Sequence, residues 1–224
     1  MRVIQSSFLR TLVVVVALGG EFGVSAWAQS ESDPTVNAQL LVAARESDAA
    51  GVRQSLDRGA APNSRNRLGK TPLYIAIEKG RVELVKIMLD AGADVNLATL
   101  EQITPLIAAA YAGNPQIVEM LLAKRPRLEE QDRMHKSALV YAAGMGHRQV
   151  VAQLLAAGAT IDAAYVDGLT PLMWAAGQGH PQTVKLLLDS GANPTLKDER
   201  GLTALDIARQ NQQQAVVDLL NAPR

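Results

Sequence analysis

The chain has 224 residues, of which 48% are hydrophobic, 20% charged and only 4% aromatic, the make-up of an ordinary globular chain. Lys plus Arg equals Asp plus Glu at 22 each, so the basic excess of a nucleic-acid binder is missing. There is no Cys, which excludes disulfides, zinc–thiolate sites and cysteine nucleophiles.

In chain order, the first element reads as an export signal. Arg2 and Arg10 make a positive start, Thr11 to Gly20 is a short apolar run, and Ala26-Trp27-Ala28 gives the small-x-small pattern that signal peptidase reads. These features predict a signal peptide over residues 1–28, cut after Ala28. The apolar run is about ten residues long, against the roughly twenty needed to span a bilayer. No stable membrane insertion is therefore expected after cleavage. The absence of Cys excludes a lipid anchor of the lipoprotein type. The one candidate glycosylation sequon, Asn193-Pro194-Thr195, has Pro in the middle. A bacterial setting follows as the expectation, with a periplasmic or secreted protein. Residues 29–37 are mostly polar and are expected to form a short flexible lead.

From residue 38 onward the chain repeats itself. Thr71-Pro72-Leu73 recurs as Thr104-Pro105-Leu106, Ser137-Ala138-Leu139, Thr170-Pro171-Leu172 and Thr203-Ala204-Leu205, each 33 residues after the last. One step earlier lies Ala38-Gln39-Leu40, so six units start near 38, 71, 104, 137, 170 and 203, within a repeat domain over 38–224. Val85, Val118, Val151, Val184 and Val217 recur at the same period.

Each recurring residue has a mechanical reason. Thr caps a helix through its hydroxyl, and Pro suits the first helical position, where its missing N–H costs nothing. Leu73, Ala76 and Ile77 then share one face. Gly80, Gly113, Gly146 and Gly179 stand where the first helix must stop. A second helix follows, with Leu84, Val85, Met88 and Leu89 on one side. Gly-Ala closes four units, at Gly59-Ala60, Gly92-Ala93, Gly158-Ala159 and Gly191-Ala192. A projecting turn leads into the next unit.

This unit resembles the ankyrin repeat, a 33-residue β-turn and helix pair with a T-P-L-H-x-A core. Gly168-Leu169-Thr170-Pro171-Leu172-Met173-Trp174-Ala175-Ala176 is its best match here. The resemblance implies an all-α solenoid of stacked helix-turn-helix units with projecting β-turns. It departs from the family in two places. The core His is replaced throughout, by Tyr74, Ile107, Val140, Met173 and Asp206, so its polar bracing is expected to be missing. The third unit has Arg125-Pro126 in place of Gly-Ala, so its second helix is expected to end differently. The terminal units are expected to act as caps that close the array. In the last one, Leu205, Ile207, Ala208, Val216, Val217 and Leu220 face inward and Gln210 to Gln214 replaces the inter-helix Gly turn.

Little in the chain points to chemistry. His147 and His180 occupy equivalent places directly after Gly146 and Gly179, which suits a structural residue at a helix start. Their spacing offers no clustered metal ligands. No nucleophile elbow and no phosphate loop is present. No enzyme, cofactor or metal is therefore expected. An enzymatic or small-molecule site on the concave face is the alternative, and it would need a deep pocket with convergent polar groups; self-association is a third possibility, although a monomer is expected.

The resemblance points instead to a partner protein, met by the turn tips and the exposed edge of each first helix. The residues so placed are Arg67, Leu68, Leu100, Ile103, Tyr111, Arg133, Met134, Met145, Tyr165, Val166 and Gln178. Leu, Met and Tyr at turn tips are unusual for solvated loops, and interfaces favour aromatic, Met and Arg residues. The alternative for Leu68, Leu100 and Val166 is packing against adjacent turns. Tyr141 and Trp174, one unit apart, read as inter-repeat packing. Lys124, Arg125, Arg127, Arg133 and Lys136 form a basic cluster interrupted by Glu129, Glu130 and Asp132; it reads as a solvated patch, with docking of an acidic partner as the sharper alternative.

Overall fold

The computed structural model describes residues 34–222, all within one compact unit. The signal peptide and residues 29–33 of the expected lead lie outside the described residues. Among those described there are twelve α-helices and no strands. They are α1 Pro34–Glu46, α2 Ala49–Asp57, α3 Pro72–Glu78, α4 Val82–Asp90, α5 Pro105–Ala112, α6 Pro115–Leu122, α7 Ala138–Gly144, α8 Arg148–Ala156, α9 Pro171–Gly177, α10 Pro181–Asp189, α11 Ala204–Gln210 and α12 Gln214–Asn221. No described helix is long and apolar enough to cross a membrane.

The first helix of each unit packs on the first helix of the next, the second helices do the same, and each pair closes on itself. The result is two helical layers with the core between them. Leu73, Leu106, Leu139 and Leu172 in the first layer, and Val52, Val85, Val118, Val151 and Val184 in the second, are almost wholly buried. In the last unit Ile207, Ala208 and Val216 are buried, whereas Leu205, Val217 and Leu220, expected to face inward, are half-buried. Their helices pack on each other and on the helices of the preceding unit.

The caps act as the sequence predicts. Thr71, Thr104, Ser137, Thr170 and Thr203 each accept a hydrogen bond from the backbone N–H three residues on, at 3.1–3.4 Å. Each such cap contributes about 1 kcal/mol. Polar bracing at the replaced His position is not missing everywhere. Asp206 accepts from both the Thr203 N–H, at 3.0 Å, and its hydroxyl, at 2.6 Å.

A second polar device ties each unit to the next. Asn63, Asn96, Glu129 and Asp162 each accept the backbone N–H of a residue 31 positions on, Asp94, Arg127, Thr160 and Asn193. Asn37 accepts the Ala61 N–H at 2.7 Å, 24 positions on and within the first unit. Asn37 therefore belongs to the packed array, and α1 starts at Pro34, four residues before the expected domain start.

The projecting turns are held by Asx-type bonds. Asp132 Oδ1 accepts from the Met134 and Lys136 N–H groups at 2.9 and 3.0 Å. Asn66 and Asp198 repeat this in their own turns. Burial pushes the Asp198 carboxyl up. The Leu202 N–H and the Arg200 side chain outweigh that effect and hold it below its ordinary value. Tyr165 stands at the equivalent place in the fourth unit and cannot supply the Asx bonds. Its turn is a short 3-10 segment, Val166–Gly168, with Asp167 at φ 58°.

The third unit is irregular in a definable way. Arg125 takes the left-handed conformation, φ 53°, at the place where Gly92 and Gly158 stand in neighbouring units. Ala93 and Ala159 close their helices by donating to the Met88 and Leu154 carbonyls, each from the residue after that Gly. Pro126 has no N–H and cannot do so. As a result α6 ends at Leu122, one residue short of the period.

Candidate partner-binding groove

The exposed edges of α3, α5, α7 and α9 carry an aromatic stripe. Tyr111 and Tyr141 meet edge to face, with centroids 5.5 Å apart and planes at 88°. On either side of this pair lies a hollow. The first, about 550 Å³, includes Tyr74, Ile103, Ile107, Tyr111, Met134 and Tyr141 in its lining. The second, about 230 Å³, includes Val140, Gly144, Met145, Trp174 and Gln178. Tyr111, Lys136 and Tyr141 line both, so the two form one groove. The larger hollow falls in the size range of ligand pockets. Its charged groups are Glu78 and Lys136.

Each aromatic position is built from the repeat. Lys136 directly precedes the N-cap Ser137, and the start of α7 aims its chain over two rings. The ammonium lies 5.5 Å from the Tyr141 centroid and 4.2 Å from that of Trp174, within the reach of cation–π attraction. The Tyr141 hydroxyl donates to Asp132 Oδ2 at 2.5 Å. Burial, and then this carboxylate, raise the Tyr141 pKa. Burial and Glu78 likewise raise that of Tyr74. These phenols stay neutral at ordinary pH, so the charged side chains that line the groove are Glu78 and Lys136. Lys70 lies 5.3 Å over the Tyr74 ring and pairs with Glu78 at 2.6 Å.

Of the residues singled out from sequence, Ile103, Tyr111, Met134, Met145 and Gln178 come together along this groove. Arg67, Leu68, Leu100 and Arg133 stand exposed on the turn tips beside it. Leu68 and Leu100 remain 60% and 55% exposed, although the Leu100 N–H donates to the Leu68 carbonyl and joins the two turns. Arg133 pairs with Glu101 at 3.5 Å. Tyr165 is half-buried and donates to Glu129 Oε2 at 3.1 Å, and its pKa is raised to about 12 by burial first and then by Glu129. It therefore links two units. The Val166 side chain lies outside the described ones. Tyr74, Ile107, Lys136, Tyr141 and Trp174 join the groove without having been chosen. The pairing of Lys with an aromatic residue two units apart, at Lys70 and Lys136, was the available signal. The basic cluster disperses: Arg127 pairs with Glu130, Arg133 with Glu101, and Lys136 alone enters the groove.

The two histidines serve the stack. His147 Nε2 lies 3.0 Å from the Tyr111 carbonyl and His180 Nε2 2.9 Å from that of Gly144, so each ring bonds back to the preceding unit. Gly113 makes room for the first of these. It is left-handed, φ 69°, and a Cβ added there would lie 2.5 Å from His147 Nδ1 and Nε2. Among the described residues no cluster of His, Asp or Glu is arranged to hold a metal ion.

A family model described as ankyrin repeats (3 copies) matches residues 40–132, 93–165 and 139–223. No curated protein matches the chain at a significant level.

Proposed function

Because the chain belongs to the ankyrin-repeat family, whose repeats are generally protein–protein interaction modules, we propose that it is a non-catalytic, exported binding module. It receives a partner protein along the groove and the adjoining turn tips. One observation carries this reading. Of the six large hydrophobic side chains that stand exposed among the described residues, five lie on this one face: Leu68, Leu100, Tyr111, Met134 and Met145. The sixth is Val42 on α1. Apolar side chains concentrated on a rigid face are what a partner can use as anchors. The scaffold is already folded, so little ordering opposes binding. Export through a signal peptide cut after Ala28 would place the module in the periplasm or outside the cell.

The test is cross-linking in the exported fraction, with wild type beside a Met134→Glu, Met145→Glu variant whose circular dichroism matches it. A partner captured by wild type and lost from the variant supports the reading. Equal capture by both would move the interface off this face. N-terminal sequencing of the exported chain checks the cleavage, and a start other than Gln29 would revise it.

A further inference from the structure

The repeat shows which group belongs opposite the lysine of the groove. Lys70 and Lys136 are equivalent residues two units apart, and each lies over an aromatic ring. In the second unit the Lys70 ammonium is met by Glu78 at 2.6 Å. The residue equivalent to Glu78 in the fourth unit is Gly144, which has no side chain. Lys136 accordingly has no ion-pair partner among the described residues. Asp132 is close in sequence, but its oxygens already accept from the Met134 and Lys136 N–H groups and from the Tyr141 hydroxyl. In front of Lys136, where the second unit keeps its own carboxylate, the 230 Å³ hollow is lined by Gly144, Met145, Trp174 and Gln178.

We infer that the groove takes a polypeptide segment that brings an Asp or Glu carboxylate to Lys136, in the place that Glu78 fills against Lys70, with a neighbouring large apolar side chain seated among Ile103, Ile107 and Met134. Charge complementarity sets the first contact. An ammonium already partly desolvated by two rings gains more from a carboxylate than one in open water. The apolar hollow next to it sets the second. This occupant presupposes that the face binds protein, and it adds the chemistry of the anchor.

Glycine at position 144 gives a specific test. A Cβ added there meets only Trp174, at 3.7 Å, an ordinary contact. Gly144→Glu should therefore fold, and it would supply from within the chain the carboxylate that the second unit has in Glu78. Short random peptides displayed on phage are selected on the full chain. The recovered sequences are synthesised and their affinities measured by fluorescence anisotropy. The variants are Lys136→Met, Gly144→Glu and Met134→Glu, each checked by circular dichroism.

The expected peptides share an acidic residue beside a large apolar one. Gly144→Glu and Lys136→Met should each weaken them by about tenfold or more, the worth of one charge-assisted contact. Converting the peptide acid to its amide should weaken binding to wild type by a similar factor, and should change binding to Lys136→Met little. Peptides that lose binding with Met134→Glu but carry no shared acid, or bind Gly144→Glu as well as wild type, would overturn the carboxylate anchor and leave the groove as a protein-binding face. Peptides indifferent to all three variants, or no recovery above an unrelated protein, would count against both.

Discussion

Replacing Gly113 with Ala separates two contributions that the structure puts at one residue. The first is the backbone. Gly113 lies at φ 69°, and an L side chain in that region costs about 1–2 kcal/mol. The second is the neighbour. The new Cβ would fall on the His147 ring, forcing the ring away from the Tyr111 carbonyl that it reaches at 3.0 Å. Losing that bond adds about 0.5–1.5 kcal/mol. Gly113→Ala should therefore destabilise the chain by about 1.5–3.5 kcal/mol. Gly80 supplies the control: its φ is 63°, and a Cβ there meets nothing within 4 Å. Gly80→Ala should cost only the backbone share, about 1–2 kcal/mol. The entropy that Ala removes from the unfolded chain is common to both variants and cancels in the comparison. Equilibrium urea unfolding followed by far-ultraviolet circular dichroism gives both values. In a His147→Ala background the two substitutions should cost the same. If Gly113→Ala costs no more than Gly80→Ala in the wild-type background, the ring does not bind the units together as described.

Leu187 is wholly buried between units, and Leu187→Ala should cost about 2–5 kcal/mol; an unchanged urea midpoint would place it outside the core. Arg125→Gly should relieve a strained backbone at an exposed site and raise stability by up to about 1 kcal/mol, read as a rise in Tm; a fall would show that the arginine side chain makes a stabilising contact. Asp198 has a depressed folded pKa, so its contribution is complete above its unfolded value, near about 3.9, and is lost as pH falls through the lower folded one. Asn66 shows that an amide can hold the same turn, so Asp198→Asn should unfold with a shallower acid dependence below about pH 4; identical acid profiles for the two chains would refute this.

The parts of the fold that depend on residue type at a fixed period were legible in the sequence. Thr71 and its equivalents cap because a hydroxyl at that place has one near donor to serve. The Val85 series is buried because each unit presents the same face to the next. The conformation of non-glycine residues was legible only through the period. Ser47, Gln102, Arg125, His135 and Gln212 all adopt positive φ at places where other units carry glycine, and nothing in their own side chains announces it. The helical start at Pro34 was hidden for a related reason, since a polar stretch is ordered here by Asn37 bonding to a residue far along the chain. The groove was half legible. Tyr111, Met134 and Met145 stood out as apolar residues at exposed places. Lys136 stood out only as one member of a basic cluster, because its ring partner Trp174 lies in the next unit and is met only when the units stack at their actual rotation.

The bonds from Asn63, Asn96, Glu129 and Asp162 to amides 31 positions on also bear on how such a chain can change length. Each bond needs an oxygen-bearing side chain at one place in the unit and a backbone N–H 31 positions on. An in-frame duplication or excision of one whole period restores that distance at the new junction, whichever unit is copied or lost. Arrays of this kind can gain or shed a unit in a single genetic event without a compensating substitution at the seam, and the groove can be lengthened while its existing anchors stay in place.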